Sequence, residues 1–275
     1  MLATYHTHSY FCDGAMHPED YVRAAIEKGF NAIGFSSHAP VLFETYWTMK
    51  PELLNEYIET ILRLKEKYKN QIQIYAGLET DYYPNSPDYR GMPGLDYTIG
   101  AIHFLYSKAT GRYMALDATP EEFIETLDTT FDGDVEAMVK AYYSLLTEMI
   151  RKRPPDIVGH IDVMKKNNAG DRYFSENSQW YRDAVETALT EIKKQGVIVE
   201  VNTGGISRGY TLEVYPSVWI MKIMREMEIP IVLNSDAHNP DWIDAYYDKA
   251  LEMIKSAGYT TQRVLLDGVW QDVKL

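Results

Sequence analysis

Histidines and carboxylates recur at the ends of short apolar segments along this chain. His6 and His8 stand two apart in "LATYHTHS". In an extended segment side chains alternate, so both imidazoles project from one face. Asp13 follows on a predicted turn that ends in Gly14. His38 falls in "GFSSHAP", Glu79 in "GLETD", His103 in "GAIHF" and His160 in "VGHID", while Asp236 and His238 share "NSDAH". Imidazole and carboxylate without thiolate make a donor set for zinc, manganese or iron rather than for a cysteine-rich structural site. At about three to five protein ligands per ion, these candidates are too many for a single ion. They would serve two or three divalent transition-metal ions and leave positions for water, which is a catalytic arrangement. His6 and His8 are then the first two ligands of a polynuclear centre.

Bringing such residues together is a demand on the fold. Candidate strands are "LATYHT", "NAIGFSS", "QIYAGLE", "DYTIGAI", "DIVGHI", "VIVEVN" and "PIVLNS". Amphipathic helical patterns lie between them. "PEDYVRAAIEKG" has Pro18 and two acids in its first turn and Gly29 as its stop. "PELLNEYIETILRLKEKY" and "DVEAMVKAYYSLLTEMIRKR" repeat apolar residues at helical spacing, and "SQWYRDAVETALTEIKKQG" and "PSVWIMKIMREMEI" each lead into a strand. Seven strands in βα alternation imply a parallel sheet. Six of the seven histidines lie at or just past C-terminal strand ends, His160 being placed within the fifth strand. Only the C-terminal rim of a closed barrel gathers all those ends. The expected fold is therefore α/β, a seven-stranded TIM-like barrel over a single domain, residues 1–275. His17 stands apart: it precedes a helix and is expected at the surface.

The net charge of −13 argues against a nucleic-acid surface, because no broad basic patch is available to neutralise phosphates. A small phosphorylated substrate is compatible with it, since bound cations invert the local potential. The lone cysteine, Cys12, admits no intrachain disulfide and fits a reducing compartment. No apolar run reaches membrane-spanning length and no signal-peptide pattern precedes the first strand. A cytoplasmic protein with no membrane partner is expected.

Through "YHTHSYFCDG", "GFSSHAP", "GLETDY", "IGAIHF", "DIVGHIDVMKK", "EVNTGGISRG" and "LNSDAH", the chain resembles the polymerase and histidinol phosphatase superfamily, and most of all its histidinol-phosphate phosphatases. The resemblance implies a distorted (β/α)7 barrel holding three metal ions at its rim. It implies one ion on His6, His8, Glu79 and Asp236, a second on Glu79, His103 and His160 with Glu79 bridging, and a third on Asp13, His38 and His238. Two positions depart from the family pattern: Ser37 stands where Asp is frequent, and Cys12 where Ser is frequent. Neither replaces a ligand, though the loss of an acid at Ser37 bears on how His38 is oriented.

The chemistry so implied is phosphomonoester hydrolysis. Bound metal lowers the pKa of water towards about 7 and clamps phosphoryl oxygens, so a hydroxide between two ions would attack phosphorus in line with the leaving oxygen. Arg208, just past the sixth strand, is the best-placed cation for a bidentate phosphate contact. Arg208, His38 and Glu79 are the residues expected at the reacting centre. The acidic stretch 104–133 is a further candidate for contact with a cationic substrate. Another phosphoester of the same chemistry (a nucleotide, a sugar phosphate or a phosphotyrosine) would share every metal ligand and differ only in the pocket.

Overall fold

A computed structural model describes residues 1–275, and the seven expected strands all form. They are β1 (Ala3–Thr4), β2 (Ala32–Phe35), β3 (Gln73–Asp81), β4 (Tyr97–Ala101), β7 (Ile157–Val158), β8 (Ile198–Asn202) and β9 (Ile231–Asn234). Every adjacent pair is parallel, in the order β1-β2-β3-β4-β7-β8-β9. The sheet nearly closes where β1 meets β9. There the His8 amide donates to the Ala237 carbonyl at 2.9 Å, the Ala237 amide to the His6 carbonyl at 3.3 Å, and the Thr4 and Ser235 hydroxyls lie 3.2 Å apart.

Helices α1 (Pro18–Glu27), α2 (Leu54–Tyr68), α4 (Val135–Lys152), α5 (Gln179–Gln195), α7 (Val218–Glu226) and α8 (Tyr247–Ser256) pack outside the barrel around a large apolar core. His17 caps α1, its Nδ1 accepting from the Glu19 amide at 3.1 Å. Glu19 in turn joins α1 to α2, accepting from Lys67 Nζ at 2.7 Å and the Tyr68 hydroxyl at 2.6 Å. These contacts, led by Lys67, hold its carboxyl at about 2 against an ordinary 4.5. A depressed folded-state pKa adds stability that is present above 4.5 and is lost as pH falls towards 2. Glu19→Gln should therefore lower Tm by about 2 °C at pH 7. Melting curves of the two proteins should converge by pH 2; a gap that persisted there would mean that the ionised carboxylate is not the source.

Inside the barrel, side chains stack in storeys because alternate strand residues point inward. The floor is apolar: Tyr75, Tyr97, Ile99, Ile157, Ile198 and Val232 pack together there. Two residues above Tyr75 comes Gly77, then Glu79; above Ile198 comes Glu200, then Asn202; above Val232 comes Asn234, then Asp236. Gly77 has to be glycine, because a Cβ there would meet the Tyr97 ring at 2.4 Å.

Strand β1 breaks this alternation. Ladder pairing stops at Thr4, so consecutive residues can both turn inward: Tyr5 joins the floor while His6 reaches the carboxylates above. A regular strand would have sent one of them outward.

Helix α8 and several other elements lie outside the expected pattern. Hairpin β5 (Phe104–Ser107) and β6 (Arg112–Ala115), followed by α3 (Pro120–Phe131), fills the acidic stretch after β4. Short helix α6 (Gly204–Ser207) follows β8. Hairpin β10 (Thr261–Leu266) and β11 (Val269–Lys274) plugs the base of the barrel, turning at Asp267 and Gly268, both with positive φ. Val264 and Leu265 join the floor, and the Tyr5 hydroxyl donates to the Leu265 carbonyl at 2.9 Å. No helix is long and apolar enough to cross a membrane.

Candidate metal centre

At the C-terminal rim lies a cavity of about 340 Å³. Seven of the nine candidate ligands line it: Asp13, His38, Glu79, His103, His160, Asp236 and His238, together with Arg208. His6 and His8 lie beneath it, fully buried. His160 stands just past β7 rather than within it.

Glu79 is the hub. Its Oε2 lies 2.9 Å from His38 Nδ1, 3.2 Å from His6 Nε2 and 3.4 Å from His8 Nε2. Its Oε1 lies 2.9 Å from His160 Nε2 and 3.5 Å from His103 Nε2. Burial alone would raise this carboxyl's pKa, yet His38, His6 and His103 hold it well below the usual range. Asp236 is treated alike: Arg208 and His6 outweigh its burial and keep it ionised. His8 is the converse case. Burial, with His238 and His38 beside it, pushes it down to about 3, so its ring is neutral and keeps a lone pair.

Donor atoms gather into four groups, each spanning less than 4.8 Å: His6, His8 and Glu79; Glu79, His103 and His160; His8, Asp13, His38 and His238; and His38, Asp81 and His103. The second has the members of a set implied by the resemblance, and the first has three of the four members of another, the fourth, Asp236, placing its Oδ1 3.2 Å from His8 Nε2. The third adds His8, whose Nδ1 faces Asp13 at 3.5 Å. His6 Nε2, His8 Nε2, His38 Nδ1 and Glu79 Oε2 are buried with no hydrogen-bond partner. Unsatisfied buried polar atoms cost about 1–3 kcal/mol each, and four of them facing one another are what divalent cations satisfy. The donor set therefore fits the metal ions expected.

Three polar residues of the site carried no distinct signal in the sequence. Asp81 Oδ1 accepts from His103 Nδ1 at 2.9 Å and from the His103 amide at 3.0 Å, which turns His103 Nε2 towards Glu79. Glu200 receives His6 Nδ1 at 2.9 Å. Lys166 lines the cavity, donates to the Asp117 carbonyl and stands 4.5 Å from the Tyr210 ring centre. Ser37, at the position where the family often has an acid, faces Ser9 at 3.1 Å and not His38. His38 is packed instead against the Trp47 indole, centroid to centroid 4.4 Å.

Arg208 follows α6, and its guanidinium reaches Asp236 Oδ2 at 2.8 Å and His238 Nδ1 at 2.9 Å. Gly204 permits that approach, since a Cβ there would lie 2.7 Å from Asp236 Oδ2 and 2.8 Å from the Arg208 guanidinium. The acidic stretch contributes Asp117 and Thr119 to the cavity wall, and the loop after β2 contributes Tyr46 and Trp47.

These features define a class: a parallel (β/α) barrel whose rim carries a divalent-metal donor cluster at the floor of a cavity. The PHP domain model matches residues 4–204, and the chain belongs to the PHP domain family. It is 29% identical over 266 residues to the histidinol-phosphatase of Bacillus subtilis, covering 90% of this chain and 97% of that one. Among solved structures it is similar to a histidinol phosphate phosphatase of Lactococcus lactis complexed with zinc, L-histidinol and phosphate, with a TM-score of 0.70 and 19% identity over 98% of both chains. A crystal structure from Listeria monocytogenes, of a protein named a putative histidinol phosphatase, matches with a TM-score of 0.78 and 23% identity, over 90% of this chain and 99% of that one.

Proposed function

We propose that this protein is a metal-dependent phosphomonoesterase that hydrolyses L-histidinol phosphate to L-histidinol and phosphate, a step of histidine biosynthesis. The carrying observation is one cavity with the Glu79-centred donor cluster at its floor and two cations, Arg208 and Lys166, on its walls. Two or three divalent ions (zinc, manganese or iron) when bound would activate water and neutralise phosphoryl charge. The chain's own residues supply the rest. Arg208 offers a planar fork to the phosphoryl oxygens and Lys166 a point charge. Asp117 lines the cavity: burial would raise its pKa, but His103 and Lys166 hold it low, so it is an anion suited to an ammonium group. Tyr46, Trp47 and Tyr210 supply flat surfaces for an imidazole ring. The names of the relatives support the same substrate, and the single cysteine accords with a reducing cytoplasm.

The test is elemental analysis of protein expressed with ample metal, followed by a panel of phosphoesters. At least two metal ions per chain are expected. Binding energy from groups remote from phosphorus raises kcat as well as lowering KM. Histidinol phosphate should therefore exceed an aryl phosphate in kcat/KM by at least about 10²-fold, or roughly 2.7 kcal/mol. Less than one ion per chain would sink the metal assignment. Equal turnover of a nucleotide or a sugar phosphate would leave the metal centre standing and remove histidinol phosphate as the substrate.

A further inference from the structure

Glu200 stands in the middle storey of the barrel, fully buried. Its Oε1 accepts from the His160 amide at 2.8 Å and from Asn202 Nδ2 at 2.8 Å. Its Oε2 accepts from His6 Nδ1 at 2.9 Å and from Asn234 Nδ2 at 2.9 Å. Four donors meet about four lone-pair sites, the full accepting capacity of a carboxylate. The amide orientations are forced: Asn202 Oδ1 accepts from the Gly204 amide at 2.7 Å, and Asn234 Oδ1 from the Tyr5 amide at 2.8 Å. Each asparagine therefore has only its NH2 left to turn towards Glu200.

Three of these contacts join parts of the barrel wall, and the fourth acts on chemistry. An imidazole that gives its Nδ1 proton to an acceptor keeps its lone pair on Nε2. His6 Nε2 points at Glu79 Oε2 and has no hydrogen-bond partner. We propose that Glu200 is a positioning residue: it holds His6 in the Nδ1-protonated tautomer with Nε2 turned into the donor cluster, and so sets divalent-metal affinity in the innermost group. The inference rests on the metal reading of the site. Glutamine fills the role poorly, because in either orientation its NH2 faces two of the four donors and it brings no negative charge to His6. Asn234 shares Oε2 with His6 but does not hold the ring, so it separates a wall contact from a contact that acts through His6.

Zinc affinity measured by chelator competition, with no substrate present, tests the assignment in the wild type, Glu200→Gln and Asn234→Ala. Glu200→Gln should bind zinc 10–100-fold more weakly. Asn234→Ala should stay within about twofold of the wild type even where its Tm falls. In the zinc-loaded wild type, nitrogen-15 NMR should find the His6 ring proton on Nδ1, a measurement that does not depend on any variant folding. Glu200→Gln binding within twofold of the wild type, an equal loss in Asn234→Ala, or a His6 proton on Nε2 would each overturn the proposal. A wild type that bound no zinc at all would instead overturn the metal reading beneath it.

Discussion

Glu79→Ala should lower kcat/KM by a factor on the order of 10³ or more and remove at least one metal ion per chain. Its two oxygens face different imidazoles: Oε2 meets His38, His6 and His8, and Oε1 meets His160 and His103. Deleting the side chain withdraws a donor from two groups at once and leaves five buried imidazoles without their central anion. Loss of an outer ligand touches fewer partners. Asp13→Ala, at a residue about a third exposed, should cost less metal and less activity. Elemental analysis and single-turnover kinetics on both variants separate the effects. Full metal content with turnover within tenfold of the wild type would end the bridging role.

Arg208→Ala should lower kcat/KM by a factor on the order of 10²–10³, from losing a charge-assisted contact that strengthens in the transition state. The structure adds a condition. Arg208 is paired with Asp236 and lies against His238, so its removal also frees a candidate ligand from a competing cation. Metal content should therefore be unchanged or higher while activity falls. Arg208→Lys keeps the charge but loses the planar fork, and should recover only part of the rate. A variant with normal kcat/KM, or one whose activity falls only in step with lost metal, would take Arg208 out of phosphate binding.

The barrel was legible because its signals reinforce one another. Every strand end but that of β8, which ends in Asn202, carries an imidazole or an acid, and strands buried on both faces read as short apolar runs. Residues that orient the ligands were harder to see. Glu200 sits in "VIVEVN" as one acid in an apolar strand, and only its inward phase, two above Ile198 and two below Asn202, marks it as functional. Asp81, two after Glu79, shares that phase but pairs with His103 across a strand boundary that sequence alone does not fix. Lys166 differs from its neighbour Lys165 in what it faces: Lys165 is buried against Ser217 and Val214, and Lys166 opens on the cavity. The C-terminal hairpin had a clear cue in "VLLDGVW", where Asp-Gly divides two apolar runs, whereas the interruption after Thr4 that turns both Tyr5 and His6 inward has none.

The seam between β1 and β9 has a consequence for biosynthesis. Its two sides are distant in the chain: Thr4 meets Ser235 across 231 residues of sequence. A nascent chain made only as far as Pro230 already holds seven candidate ligands but lacks Asp236, His238 and the strand on which His6 and His8 must lean. His6 and His8 are thus made well before the strand that seats them. The loop-closure entropy of that join is met only when both β1 and β9 are present. The finished donor geometry therefore needs β9 and the Asp236–His238 segment in place before metal can be held in it.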